Sequence, residues 1–124
     1  MHVVALDHIV LNVADVERSL AFYSETLGLP AERLELWRAG KVGFPSVRVN
    51  EHTILDLVRK APEGQNLAHF CLVADGEIQA LRSELEAKGV QIEREPASRS
   101  GARGDGLSFY IRDPDGTQVE IRCY

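Results

Sequence analysis

Two imidazoles and two carboxylates stand inside apolar, strand-like runs at matching places in the two halves of the sequence. His8 lies in Leu6-Asp7-His8-Ile9-Val10-Leu11, and His69 lies in Leu67-Ala68-His69-Phe70-Cys71-Leu72, 61 residues further on. Asp56 lies in Thr53-Ile54-Leu55-Asp56-Leu57-Val58, and Glu120 in Thr117-Gln118-Val119-Glu120-Ile121-Arg122, 64 residues further on. If the halves pair about a two-fold axis, all four side chains meet in one place. Two imidazoles with one or two carboxylates suit a divalent transition metal. A carboxylate between Val119 and Ile121 is costly to bury without a cation or a donor, and a metal removes that cost.

The elements that must position these side chains read as one unit used twice. Ala5–Val13 is an apolar, β-branched strand. Asp15 caps a helix over Val16–Leu27, whose face is Val16, Leu20, Tyr23 and Leu27, and Gly28 closes it. Strands are expected near Arg33–Trp37, Gly43–Val49 and Thr53–Arg59, with Asn50-Glu51-His52 as the turn between the last two. A polar linker, Ala61–Asn66, precedes the second unit. That unit has a strand at Leu67–Ala74, a helix over Glu77–Lys88 ended by Gly89, and a strand at Val90–Arg94. A long polar loop, Pro96–Gly106, follows. Strands Leu107–Arg112 and Gln118–Cys123 are joined by the turn Asp113-Pro114-Asp115-Gly116. Each half reads β-α-β-β-β, a stronger statement than any single element. Strand side chains alternate, so Asp56 shares its face with Ile54 and Val58.

Composition narrows the classes. The chain has 124 residues, which is one domain. Its net charge is −5 and it has no basic run, which argues against nucleic acid as a partner. No charged segment followed by an apolar stretch opens the sequence, so no secretion signal is expected. No apolar run reaches the roughly 20 residues that span a bilayer, so no membrane partner is expected. Cys71 and Cys123 make no disulfide framework, and Cys71 reads as a buried free thiol, as in a reducing cytoplasm.

With these residues in hand, the chain resembles the vicinal oxygen chelate superfamily. That group includes glyoxalase I, extradiol dioxygenases, and fosfomycin and bleomycin resistance proteins. The N-terminal signature is Leu6-Asp7-His8-Ile9-Val10-Leu11-Asn12-Val13 with Ser19-Leu20-Ala21-Phe22-Tyr23 before Leu27-Gly28. The C-terminal signature is Ser108-Phe109-Tyr110-Ile111-Arg112-Asp113-Pro114-Asp115-Gly116 followed by Val119-Glu120-Ile121. The resemblance covers the whole chain. It implies an α+β fold of two β-α-β-β-β modules, about 5–60 and about 67–124, forming an open U-shaped mixed-sheet barrel in a single domain, commonly as a homodimer. The stretch Ser98–Gly104 is similar to a branch of small glyoxalase-domain proteins that often lack the second histidine. This chain has it, as His69.

The resemblance assigns roles residue by residue. His8, His69 and Glu120 match the superfamily's metal-ligand positions. Asp56 aligns with the fourth ligand of glyoxalase I, which there also takes the substrate proton; aspartate is one methylene shorter than the glutamate of bacterial members. Tyr110, ten residues before Glu120, stands where related enzymes place a substrate-contacting tyrosine. Arg99 and Arg103 could clamp an anionic substrate from the long loop. His2, His52 and the Asp113–Gly116 turn carry no partner in the pattern. Tyr23, Trp37 and Phe44 read as core or dimer-contact aromatics.

The cofactor implied is a divalent metal: nickel, zinc, manganese or iron(II). It would act as a Lewis acid on a small substrate that chelates through two adjacent oxygens. A glyoxalase I-like lyase or isomerase, with Asp56 as base, ranks first. An iron(II) extradiol dioxygenase comes second, because Tyr110 suits it but no additional active-site histidine is evident. A fosfomycin-type enzyme ranks below both, since Val10 stands where that branch has threonine and Tyr124 follows Glu120 by four residues, before its basic residues. A non-catalytic binding protein of the bleomycin resistance type is the remaining alternative. The sequence leaves open whether the four residues meet within one chain or across a dimer.

Overall fold

The computed structural model describes residues 2, 6, 8–101 and 103–124, with backbone alone at 100 and 101. Ala5 and Asp7, at the start of the first expected strand, and Ala102 in the expected loop lie outside the described residues. The chain divides into two units, Met1–Asn66 and Leu67–Tyr124.

The first unit holds β1 (His8–Val13), α1 (Val16–Leu20), β2 (Ala31–Glu32), α2 (Leu34–Arg38), β3 (Ser46–Asn50) and β4 (Thr53–Arg59). Its four strands form one mixed sheet in the order β1-β4-β3-β2, with β1 parallel to β4 and the other pairs antiparallel. Asp15 starts α1 by accepting a hydrogen bond from the Arg18 N–H at 3.0 Å. A wider π-helical stretch, Ala21–Thr26, continues the same helix, and Gly28 leaves it at φ +79°, a conformation that favours glycine. One sheet face carries Leu11, Val13, Val47, Leu55 and Leu57, all buried, and α1 packs against β4 with Leu20 buried and Tyr23 buried just beyond it.

The second unit repeats the plan. It holds β5 (Phe70–Val73), α3 (Ile78–Ala87), β6 (Arg94–Gly101), β7 (Gly104–Arg112) and β8 (Gln118–Cys123). Its sheet order is β5-β8-β7-β6, with β5 parallel to β8. The Glu77 carboxylate caps α3 by accepting from the N–H groups of Gln79 and Ala80 at 2.9 and 3.1 Å. Ile78 and Leu85 turn inward from α3, and Phe70, Phe109, Ile111, Val119 and Ile121 supply the core on the sheet. The two units thus give two four-stranded mixed sheets with few helices. Among the described residues no helix is long and apolar enough to cross a membrane.

Four expected segments are corrected. Arg33–Trp37 is not a strand: Ala31–Glu32 is the short strand, and Leu34–Arg38 is helical. Leu, Glu and Arg are good helix formers, and no β-branched residue opposes them there. The strand expected at Val90–Arg94 begins only at Arg94, and the expected polar loop is largely the β6–β7 hairpin, with Ser98 opposite Leu107 and Arg99 opposite Gly106. Backbone pairing needs no apolar pattern, so this hairpin is silent in hydropathy. The strand at Leu67–Ala74 is shorter, Phe70–Val73, which leaves His69 immediately before it. Cys71 is exposed rather than buried, because its side chain falls on the polar face of the second sheet; Cys123 is the buried thiol.

Candidate functional site

Strand alternation sorts the second sheet into an apolar face under α3 and a face carrying chemistry. On that second face Glu120 pairs in register with Tyr110 on one side and with Cys71 on the other. His69, two residues before Cys71, brings its Nε2 to 3.4 Å from Glu120 Oε2. The His69 ring meets Tyr110 edge-on, with 6.0 Å between ring centres. The structure therefore brings His69, Glu120 and Tyr110 together.

Glu120 has a second partner that pattern reasoning passed over. Arg122, two residues on and so on the same face, donates from Nη2 and Nε to Glu120 Oε1 at 2.8 and 3.3 Å. Both side chains are buried, 5% and 4% exposed. Burial pushes the Glu120 carboxyl up, but the nearby Ser108 hydroxyl and the Arg122 guanidinium bring it below the usual carboxylate range. Among the described residues the buried Ser108 Oγ has no hydrogen-bond partner. Arg122 is in turn held from behind. Its Nη1 donates to the Tyr124 hydroxyl at 3.4 Å, and the Arg103 backbone N–H donates to the same oxygen at 3.1 Å. These two donors hold the Tyr124 phenol below its ordinary pKa. Partial burial and the Glu120 charge push the Cys71 thiol up, which keeps it neutral.

The end of β8 depends on Gly106. A Cβ at that position would lie 2.7 Å from the Cys123 carbonyl oxygen and 3.2 Å from the Tyr124 ring. Gly106→Ala is expected to push the end of β8 away, loosen Tyr124 from Arg122, and cost about 1–3 kcal/mol, as overpacking does. Chemical denaturation of the variant checks this, and unchanged stability would contradict it.

The first sheet repeats the arrangement at equivalent positions. Asp56 pairs with Val10 on β1, and His8 stands two residues before Val10, just as His69 stands two before Cys71. His8 and Asp56 thus share one sheet face by register, and His8 is exposed while Asp56 is buried. Asp56 also carries an arginine. Its Oδ1 accepts from Ser46 Oγ at 2.6 Å and from Arg33 Nη2 at 3.2 Å. In both units an arginine occupies one carboxylate oxygen, and the other oxygen is left for a further partner.

The donor chemistry fits a divalent cation at His69 and Glu120: an imidazole nitrogen and an open carboxylate oxygen lie side by side. Burial of Glu120 no longer argues for the metal, because Arg122 already meets that need. Among the described residues no three His, Cys, Asp and Glu side chains form a complete ligand set. Arg99 donates to the carbonyl of its neighbour Ser98, and the Arg103 guanidinium lies over the Tyr124 ring. Tyr23 is fully buried, as expected of a core aromatic.

Over 121 residues the chain is 34% identical to "Virulence protein STM3117" of Salmonella typhimurium, covering 96% of this chain and 83% of that protein. The crystal structure of that protein superposes with a TM-score of 0.81 and 28% identity, covering 100% of this chain and 99% of that one. "Glutathione transferase FosA" of Serratia marcescens is 30% identical over 94% of this chain and 79% of its own length. "Probable lactoylglutathione lyase, chloroplastic" of Arabidopsis thaliana is 28% identical over 92% of this chain, but the match spans only 34% of that protein. The family model described as Glyoxalase/Bleomycin resistance protein/Dioxygenase superfamily matches residues 5–121, and the chain belongs to that superfamily.

Proposed function

We propose that this chain is a divalent-metal-dependent enzyme, a glyoxalase I-like lyase or isomerase acting on a small substrate with two adjacent oxygens. In this reading His8, His69 and Glu120 are metal ligands, Asp56 is the proton-accepting carboxylate or fourth ligand, and Tyr110 contacts the substrate. The observation that carries it is the His69–Glu120 pair, whose open oxygen and imidazole nitrogen lie 3.4 Å apart. Relatives whose names denote a lactoylglutathione lyase and a glutathione transferase support an enzymatic role. When bound, the cation supplies Lewis-acid polarisation of the two substrate oxygens.

The chain's own residues do the rest. Arg122 pins Glu120 Oε1 and leaves Oε2 to face His69. Arg33 and Ser46 pin Asp56 Oδ1, so that Oδ2 is the oxygen that takes the proton from the carbon beside the substrate carbonyl. Tyr110 donates its phenol hydrogen to a substrate oxygen. Tyr110 beside His69 also favours a second reading, an iron(II) extradiol dioxygenase.

The test is exchange in D2O. With nickel or zinc added and a panel of 2-hydroxycarbonyl compounds, the parent is expected to wash deuterium into the carbon beside the carbonyl. Asp56→Asn is expected to lower kcat by about a hundredfold or more with KM little changed. No exchange with any compound, together with oxygen uptake on catechols under iron(II), would replace the lyase reading with the dioxygenase.

A further inference from the structure

Arg33 begins at the outer edge of the first sheet, yet its side chain reaches the middle. It follows β2 in the left-handed region, at φ 58° and ψ 16°. Side-chain-bearing residues other than asparagine and aspartate seldom adopt that conformation. From there the side chain crosses β3 to β4. Its Nη2 donates to Ser46 Oγ and, at 3.2 Å, to Asp56 Oδ1. Its Cζ lies 4.7 Å from the centre of the Phe44 ring. A buried hydroxyl, a buried carboxylate and an aromatic ring thus fix the guanidinium.

The fixture is more than neutralisation of Asp56 requires. The Nε and Nη1 donors of Arg33 are spent on nothing among the described residues. The side chain keeps 38% of its surface, while Asp56 keeps 9%. The neighbouring charges are already matched, since Arg48 holds Glu32 through Nε and Nη2 at 2.5 and 3.0 Å. What remains is a positioned, partly exposed cation with N–H groups that no described residue accepts, on the sheet face that Asp56 shares with His8. A guanidinium held in place and incompletely hydrogen-bonded is suited to an oxygen-rich anion.

We propose that Arg33 is an anion-recognition residue, and that the ligand of this protein carries a carboxylate or a phosphate group which it takes. In naming a group on the substrate, the inference rests on the proposed function; anion binding by itself does not.

The test uses the full chain stripped of metal with chelator, at low ionic strength, titrated separately with inorganic phosphate and with acetate by calorimetry. Low salt matters because exposed charges are screened. The parent is expected to bind at least one of the two saturably. Phosphate alone identifies the phosphate group, and acetate identifies the carboxylate. Arg33→Met is expected to weaken that binding at least about tenfold, and Arg33→Lys about fivefold, because lysine is a point charge without the fixed plane. Thermal melting shows whether each variant is folded; if Arg33→Met is not, Arg33→Lys carries the comparison. No saturable binding to the parent, or binding unchanged in a folded Arg33 variant, would overturn the inference. Anion binding that depends on Arg33, without deuterium exchange on any substrate, would leave the inference standing and remove the proposed function instead.

Discussion

Arg122→Met is expected to lower the melting temperature by more than about 10 °C, and Glu120→Gln added to it is expected to restore most of the loss. The reason is the position of the pair. The Glu120 and Arg122 side chains keep 5% and 4% of their surface, so removing the arginine strands a carboxylate with little water to solvate it. Methionine keeps the apolar stem of the side chain and none of its donors. Glutamine removes the charge that would be stranded, which is why the double variant should recover. Arg122 also joins Glu120 to the Tyr124 hydroxyl, so its loss should be felt at the end of β8. Thermal unfolding of the parent, the single variant and the double variant by circular dichroism decides the matter. A single variant as stable as the parent would show that Glu120 finds water or another donor. A double variant no better than the single would show that Arg122 matters through packing rather than through its charge.

His69→Ala is expected to weaken binding of nickel or zinc by at least about a hundredfold, while Tyr110→Phe leaves it within about threefold. His69 is exposed, sits outside the apolar core and pairs with Glu120 Oε2 at 3.4 Å. Its removal should therefore cost little stability and act through the missing nitrogen ligand. Tyr110 touches His69 through its ring, which Tyr110→Phe keeps. Competition against a chromophoric chelator measures both constants. Equal metal affinity in the parent and in His69→Ala would remove His69 from the ligand set.

Much of the architecture is legible because it is repeated. The helix starts at Asp15 and Glu77, the glycine exits at Gly28 and Gly89, and strand β4 over Thr53–Arg59 all follow from capping chemistry and apolar spacing. His8 and His69 each stand two residues before the residue that pairs with Asp56 or Glu120, so the two pairs appear in the same register in the two sheets. What the sequence hides has physical causes. The β6–β7 hairpin is polar and glycine-rich, so its backbone pairing leaves no hydrophobic signal. The αL conformation at Arg33 is a single-residue event with no glycine to announce it, and it turns an expected strand into helix α2.

The arginine partners divide in the same way. Arg122 was within reach of pattern reasoning, because it stands two residues after Glu120 and must share its face. Arg33 was not, since its contact with Asp56 spans 23 residues and crosses an intervening strand. Together they change how the two carboxylates are understood. Each is made tolerable in a buried place by a guanidinium, and each keeps one oxygen for chemistry.

Metal content tests the proposed divalent-metal site without reference to any substrate. Elemental analysis of the purified chain, before and after incubation with nickel, zinc, manganese or iron(II) and removal of excess, is expected to give about one metal per chain, falling sharply in His69→Ala. A content below about 0.1 metal per chain that none of the four cations raises would contradict the account.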